Sequence, residues 1–396
     1  MKKVFLFSLF LVLGLVLSQC LPVWLGEAFL TAEKVAKTLM FVCLAFIMIN
    51  VGREFELDKT KWRSYAADYF IAMATAALPW VMVAFYYMFL LPADLFGNWD
   101  AWKENLLLSR FAAPTSAGIL FTMLAAAGLR REWIYKKTQV LAIFDDLDTI
   151  LLMIPLQIFM IGFKWQLFAV VIVITFLLVI GWKKLGTIRL SQTWKSILFY
   201  AVCIVAVTES IYLLTKWMMG ADGAIHIEVL LPAFVLGMVM KTVHQHGNRD
   251  EKITGMISYL FMFLVGLSTP QFIGIDHGHR ITEAVGIIAA QPMPSWEVLV
   301  VHVIVVTLLS NLGKMFPLFF YRDRQLEERL ALSVGMFTRG EVGAGIIVIA
   351  MGYNLGGPAL IISVLSLVLN LLLTGGFVVI VKRLAQQAYG LKEKTE

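Results

Sequence analysis

The run "LAIFDDLDTILLMIPLQ", Leu141 to Gln157, sets three carboxylates, Asp145, Asp146 and Asp148, among residues that are almost all apolar. Two other stretches bury charge in the same way: "LGKMFP" carries Lys314, and "GMFTRGEVGAGIIV" carries Arg339 and Glu341. Four acids and two bases make a cluster of net −2 when all are ionised. Carboxylates in such a cluster can hold protons or give oxygen ligands to a hard cation, and the two then compete for the same group. Burial brings a carboxylate's proton affinity toward the working range of that competition.

The scaffold holding these groups follows from composition. With 60% hydrophobic and 15% charged residues and a mean hydropathy of +0.81 over 396 residues, the chain reads as an all-α polytopic membrane protein in a lipid bilayer. An ionisable side chain at the centre of a membrane helix costs at least about 2.5–3.5 kcal/mol, so all six should face a cavity or a partner and mark a pathway. About twelve stretches are apolar and long enough to span: 4–25, 35–52, 66–91, 105–127, 138–161, 165–181, 194–214, 225–242, 253–274, 296–321, 328–353 and 358–382. The short loops between them leave one transmembrane domain and no room for a soluble one. The opening "MKKVFLFSLFLVLGLVLSQC" has the basic start and apolar core of a secretory signal, but without a small-residue cleavage site it reads as an uncleaved first helix. Cys20, Cys43 and Cys203 lie in apolar spans as small hydrophobes, with neither a disulfide framework nor zinc spacing.

Cytoplasmic segments carry an excess of lysine and arginine. An even number of spans puts both termini on one side, and placing them inside assigns 24 of the 33 basic residues to cytoplasmic segments. Lys34, Lys37, Lys103, Arg110, Lys164, Lys216 and Arg280 fall to the outer side, and Lys314 and Arg339 lie within spans. The net charge of +6 is this loop bias and implies no nucleic-acid partner. The expected location is the cell inner (plasma) membrane.

Depth then relates the charges. Asp145 lies seven residues in from the cytoplasmic start of the fifth span, and Lys314 seven in from the cytoplasmic end of the tenth. At ~1.5 Å per residue both sit about 10 Å deep and can pair. Asp146 points about 100° away from its neighbour and can face an ion path. Asp148 matches Arg339 in depth to about one residue's rise, which predicts a structural ion pair, with Glu341 as the competing partner. Two spans carry breakers at mid-length: Pro114, Thr115 and Ser116 in "RFAAPTSAGIL", and Gly340, Gly343 and Gly345 in "FTRGEVGAG". Unwound backbone at membrane depth is tolerated where it lines a cavity or is buried in protein, and it offers carbonyls and half-helix ends to ions. The triplets 66–161 and 296–382 run in opposite orientations, each with a broken middle helix. That is the pattern of an inverted repeat forming a core, with the other helices as scaffold.

Taken in order, these segments resemble the monovalent cation/proton antiporters, particularly the bacterial sodium/proton exchangers of the second large branch. "FIMINVGREFELD" is similar to an early helix ending in a glycine and acidic pair, and "APTSAGILFTMLAAAGL" to the crossing helix. "AIFDDLDTILLMI" carries the double aspartate, "FLVGLS" matches a later helix, "LGKMFP" supplies the lysine, and "TRGEVGAGI" matches the arginine-glycine-glutamate motif. The resemblance covers most of the chain. It implies the sodium/proton antiporter fold with two crossing broken helices, elevator-like alternating access, and a dimerisation layer joining a homodimer. It also implies that Asp146 is the ion-binding carboxylate, that Asp145 partners Lys314, and that Thr115 and Ser116 belong to the crossing. In this family a double aspartate with a lysine goes with electrogenic exchange, asparagine-aspartate with electroneutral exchange; this chain has the first pattern. Asp148 is an extra acid outside the family pattern, and the C-terminus is too short for the cytosolic regulatory domain of potassium efflux relatives.

The expected function is antiport of sodium or lithium for protons, with no cofactor and no ATP-binding motif, so that an ion gradient drives it. A potassium/proton antiporter or potassium efflux protein of the same fold is the alternative, although efflux relatives carry glutamine-aspartate where this chain has Asp145 and Asp146. A remote alternative starts from "DDLD", reminiscent of membrane prenyltransferases that hold a magnesium diphosphate; it wants a second acidic cluster on the same face, which the sequence does not offer. His244 and His246 lie in an inner loop and His277 and His279 in an outer one, so they cannot share one metal. They read as solvated, as do His302 and Glu209 near outer span ends. Asn50, Asn311 and Asn370 read as helix-to-helix contacts.

Overall fold

In lipid every backbone polar group must be satisfied within the protein, which leaves long apolar runs the helix as their solution. The computed structural model describes residues 2–25, 28–53, 62–116, 132–161, 186–219, 229–241, 248–268, 290–353 and 355–389, together with scattered positions between them. The helices are α1 (Lys2–Leu25), α2 (Ala28–Arg53), α3 (Trp62–Phe89), α4 (Trp99–Ser109), α5 (Trp133–Ile161) and α6 (Trp194–Met219). They continue with α7 (Leu230–Val239), α8 (Asn248–Leu267), α9 (Trp296–Gly313), α10 (Leu326–Gly335), α11 (Glu341–Gly352) and α12 (Gly357–Tyr389). Among the described residues, five segments are each long and apolar enough to cross a membrane: Ala32–Arg53, Ala66–Phe89, Trp194–Trp217, Trp296–Phe319 and Gly357–Tyr389. Most of the expected sixth span, and most of the fourth beyond Ser116, lie outside the described residues. Large side chains left exposed along α6, such as Phe199, Val207, Leu213 and Trp217, suit a surface bathed in lipid.

The helices pack in two sets. α1 lies along α8, and α2 along α6, α7 and α8. α3 contacts α4, α5 and α9, while α12 contacts α9 and α10. Small residues permit the closest approaches, as expected where helix association in lipid depends on tight packing. Gly14 faces the Phe263 carbonyl across the α1 and α8 contact, and Gly52 and Gly237 face each other between α2 and α7.

One such approach bears on the site. Gly313 closes α9 against Pro79 of α3, where an added Cβ would sit 2.6 Å from the proline Cα and closer still to its nitrogen. Backbone cannot yield as a side chain can, so Gly313→Ala should force α9 away from α3 at the residue before Lys314. Overpacking of this kind costs about 1–3 kcal/mol. A lowered melting temperature in detergent, with reduced transport, is the expected result; an unchanged melting temperature would contradict so close a contact.

The breaks differ in part from the sequence expectation. The fourth span does stop near Pro114. The eleventh breaks earlier than its glycines suggest: α10 ends at Gly335, α11 starts at Glu341, and Gly343 and Gly345 are helical. Gly343 serves packing instead, since a Cβ there would lie 3.0 Å from the Phe111 carbonyl oxygen.

Candidate functional site

The candidate site forms where the two breaks cross. α4 is started by Asn98, whose Oδ1 accepts from the Asp100 amide at 2.8 Å. It gives way to one 3-10 turn over Arg110–Ala112, and Pro114 bars its continuation by lacking an amide proton and restricting the residue before it. α10 is started by Glu328, whose Oε2 accepts from the Gln325 amide at 3.3 Å. Beyond α10, the chain is extended at Gly340 before α11 begins.

The backbone groups freed by one break are satisfied by the other. The Ser116 amide donates to the Thr338 carbonyl at 2.9 Å, and the Thr338 hydroxyl donates back to the Ser116 carbonyl at 3.4 Å. The Thr115 hydroxyl donates to the Met336 carbonyl at 3.0 Å. Arg339, 2% exposed, donates from Nη1 to the carbonyls of Pro114 and Met336, each at 3.2 Å, and from Nη2 to that of Ser310 at 3.1 Å. A planar fork of donors that never deprotonates suits three carbonyls set around it. Asn370 donates to the Phe337 carbonyl at 3.0 Å and accepts from Asn311 at 3.2 Å, which ties α12 and α9 to the second break.

Lys314 reaches this region from the end of α9. Its Nζ lies 2.9 and 2.8 Å from the two carboxylate oxygens of Asp145 on α5, and both side chains are wholly buried. Asp145 and Lys314 are thus brought together, whereas Asp148 and Arg339 are not. Asp148 instead holds Arg110: Nη2 lies 3.3 Å from its Oδ2 and 3.0 Å from its backbone oxygen. The expected pair of Asp148 and Arg339 is therefore corrected, because the carbonyls released by the breaks engage Arg339. The outer-side assignment of Arg110 is corrected too. Its guanidinium is fully buried and stacks over Trp80 at 4.4 Å, and the Trp80 indole donates to the Leu106 carbonyl at 2.7 Å. Asp146 sits on α5 beside Asp145 and Glu341 opens α11, but both side chains lie outside the described residues.

A second charged cluster lies about two helical turns before Asp145 along α5, toward the start of that helix. Lys137 on α5 contacts both oxygens of Asp68 on α3 at 2.9 Å, and the Tyr321 hydroxyl donates to Asp68 at 2.8 Å. Tyr321 has φ +53°, a conformation that a bulky residue keeps only where its surroundings hold it. The Asp68 carboxylate accepts from its hydroxyl and so fixes it as a donor. His302 is engaged by the Tyr86 hydroxyl at 2.8 Å, and the three cysteines are free thiols. The other expected histidine positions, His244, His246, His277 and His279, fall outside the described residues.

Counted by sequence, the segments that meet at the crossing carry four acids, Asp145, Asp146, Asp148 and Glu341, and three bases, Arg110, Lys314 and Arg339, for a net charge of −1 if all ionise. One monovalent cation, or one proton, would neutralise it.

The family model described as "sodium/hydrogen exchanger, transmembrane" matches residues 2–384. Among solved structures, the sodium proton antiporter MjNhaP1 from Methanocaldococcus jannaschii, at pH 8, is similar with a TM-score of 0.56 and 12% identity, over 93% of this chain and 92% of that one. At that identity the likeness is one of fold. No curated protein sequence gives a significant match.

Proposed function

Because the chain belongs to the sodium/hydrogen exchanger family and is a cation/proton antiporter of the membrane, we propose that it exchanges sodium or lithium for protons electrogenically through Asp145, Asp146 and Lys314. The observation that carries this reading is the Lys314 ammonium, 2.8 and 2.9 Å from the two oxygens of the wholly buried Asp145, beside the crossed breaks. In the absence of a cation, Lys314 holds Asp145. An arriving cation takes the carboxylates of Asp146 and Asp145, with Thr115 and Ser116 in reach of the same crossing. Lys314, released from its partner, gives up one proton and Asp146 another. Two protons leave for one cation, so the cycle moves charge and responds to voltage.

Exchange then requires only that the loaded forms reorient and the bare, charged form does not. The triplets 66–161 and 296–382 would form the moving core, and the remaining helices the scaffold and homodimer contact. Both termini would face the cytoplasm at the plasma membrane. Asp145 and Asp148 each hold a base, so two of the three carboxylates of "DDLD" are already engaged, which disfavours a magnesium diphosphate there.

Purified protein in proteoliposomes tests the reading with sodium, lithium and potassium gradients, membrane voltage being clamped or free. Sodium or lithium should move protons faster than potassium, and an unclamped membrane should slow exchange. Equal rates with and without the clamp would overturn electrogenic exchange, and faster movement with potassium would transfer the reading to potassium/proton antiport.

A further inference from the structure

The exchange cycle above makes no use of the second buried ion pair, Arg110 with Asp148. Asp148 lies one helical turn beyond Asp145 on α5, so the two carboxylates share a face at close range. Arg110 follows α4 into the first break, wholly buried, and reaches Asp148 through one nitrogen only. Its Nε and Nη1 are buried with no acceptor among the described residues. As a device for stability this is a poor arrangement. A buried pair gains little or nothing over apolar side chains of similar volume, and each orphaned donor costs stability. A methionine over Trp80 and an apolar partner on α5 would hold the same helices with less penalty. What the pair supplies is charge, placed one turn from the carboxylates of the ion site.

We propose that Arg110 is a positioning residue for the transported cation: it cancels the charge of Asp148 and fixes α5 against the first break, and so sets cation affinity at Asp145 and Asp146. The inference rests on the antiport reading. Other titratable groups among the described residues lie close by: Lys314 from α9 faces Asp145, the neutral Tyr69 from α3 lies within electrostatic reach of Asp148, and Arg339 within reach of Asp145. Arg110 itself lies within reach of Asp145 as well as Asp148. Neutralising one member of the pair therefore leaves a charge of known sign beside the site.

The test is sodium KM and kcat in proteoliposomes at alkaline pH for Asp148→Asn, Arg110→Gln and the double variant. Asp148→Asn leaves the guanidinium uncancelled and should raise the KM about tenfold, while Arg110→Gln leaves the carboxylate uncancelled and should lower it about tenfold. The double variant should return to within about twofold of the parent, with kcat changing less than KM throughout. Shifts of both single variants in the same direction, as a merely structural pair would give, overturn the proposal. If Arg110→Gln is not recovered folded, the step from Asp148→Asn to the double variant carries the same test: the KM must fall, and a KM that stays high or rises overturns the proposal with the antiport reading intact. A parent protein that moves no protons with any cation removes the antiport reading, and this inference falls with it.

Discussion

Lys314→Gln should abolish the voltage response of exchange and lower the stability of the protein by about 3–5 kcal/mol, the usual cost of leaving one member of a buried pair uncompensated. Both oxygens of Asp145 lose their ammonium contact, and no solvent reaches either residue to replace it. Glutamine is shorter but can still donate hydrogen bonds from its amide, yet it carries neither the charge nor a proton to release. Any exchange that persists should then involve Asp146 alone and move no net charge. The measurement is twofold: thermal unfolding in detergent, and proton flux with voltage clamped and unclamped. A variant with parent stability and parent voltage dependence would mean that the lysine serves neither the fold nor the cycle.

Asp146→Asn should leave no measurable exchange while the protein stays folded. The amide has the carboxylate's volume, yet it can neither titrate nor give a cation a negative ligand. The pair of Asp145 and Lys314 remains, so the melting temperature should change far less than in Lys314→Gln. Sodium-driven proton flux near the parent rate in this variant would remove Asp146 from the site and return Asp148 to the list of possible ligands.

Much of the architecture was legible because membrane helices must be long and apolar and because breaks need particular residues. Pro114 marked the first break, and hydropathy bounded α3 and α5 to within a few residues and found where α9 and α12 start, whereas α9 stops at Gly313, short of the expected 321, and α12 runs on to Tyr389, past the expected 382. Depth counting put Asp145 and Lys314 at one level, and their side chains do meet. The same count failed for Asp148, for a physical reason. Depth fixes height along a helix but not direction around it, and with Arg110 assigned outside the count offered Asp148 only Arg339. Arg339 answers to carbonyls released by the breaks, which no sequence pattern displays. Arg110 was placed in an outer segment because it lies near a span's edge by hydropathy, whereas the break lets the chain carry it inward over Trp80. One signal was available: each broken helix is followed within a few residues by an arginine, Arg110 after α4 and Arg339 after α10, at the end where the helix dipole favours a cation.

The most direct measurement is internal pH in proteoliposomes holding only this protein, after sodium is added outside with no nucleotide present. Cation/proton antiport predicts that the interior turns alkaline as sodium enters and protons leave, and that the change is absent in Asp146→Asn. An internal pH that does not move with sodium, lithium or potassium, or one that moves equally in Asp146→Asn, would contradict antiport through the aspartate pair.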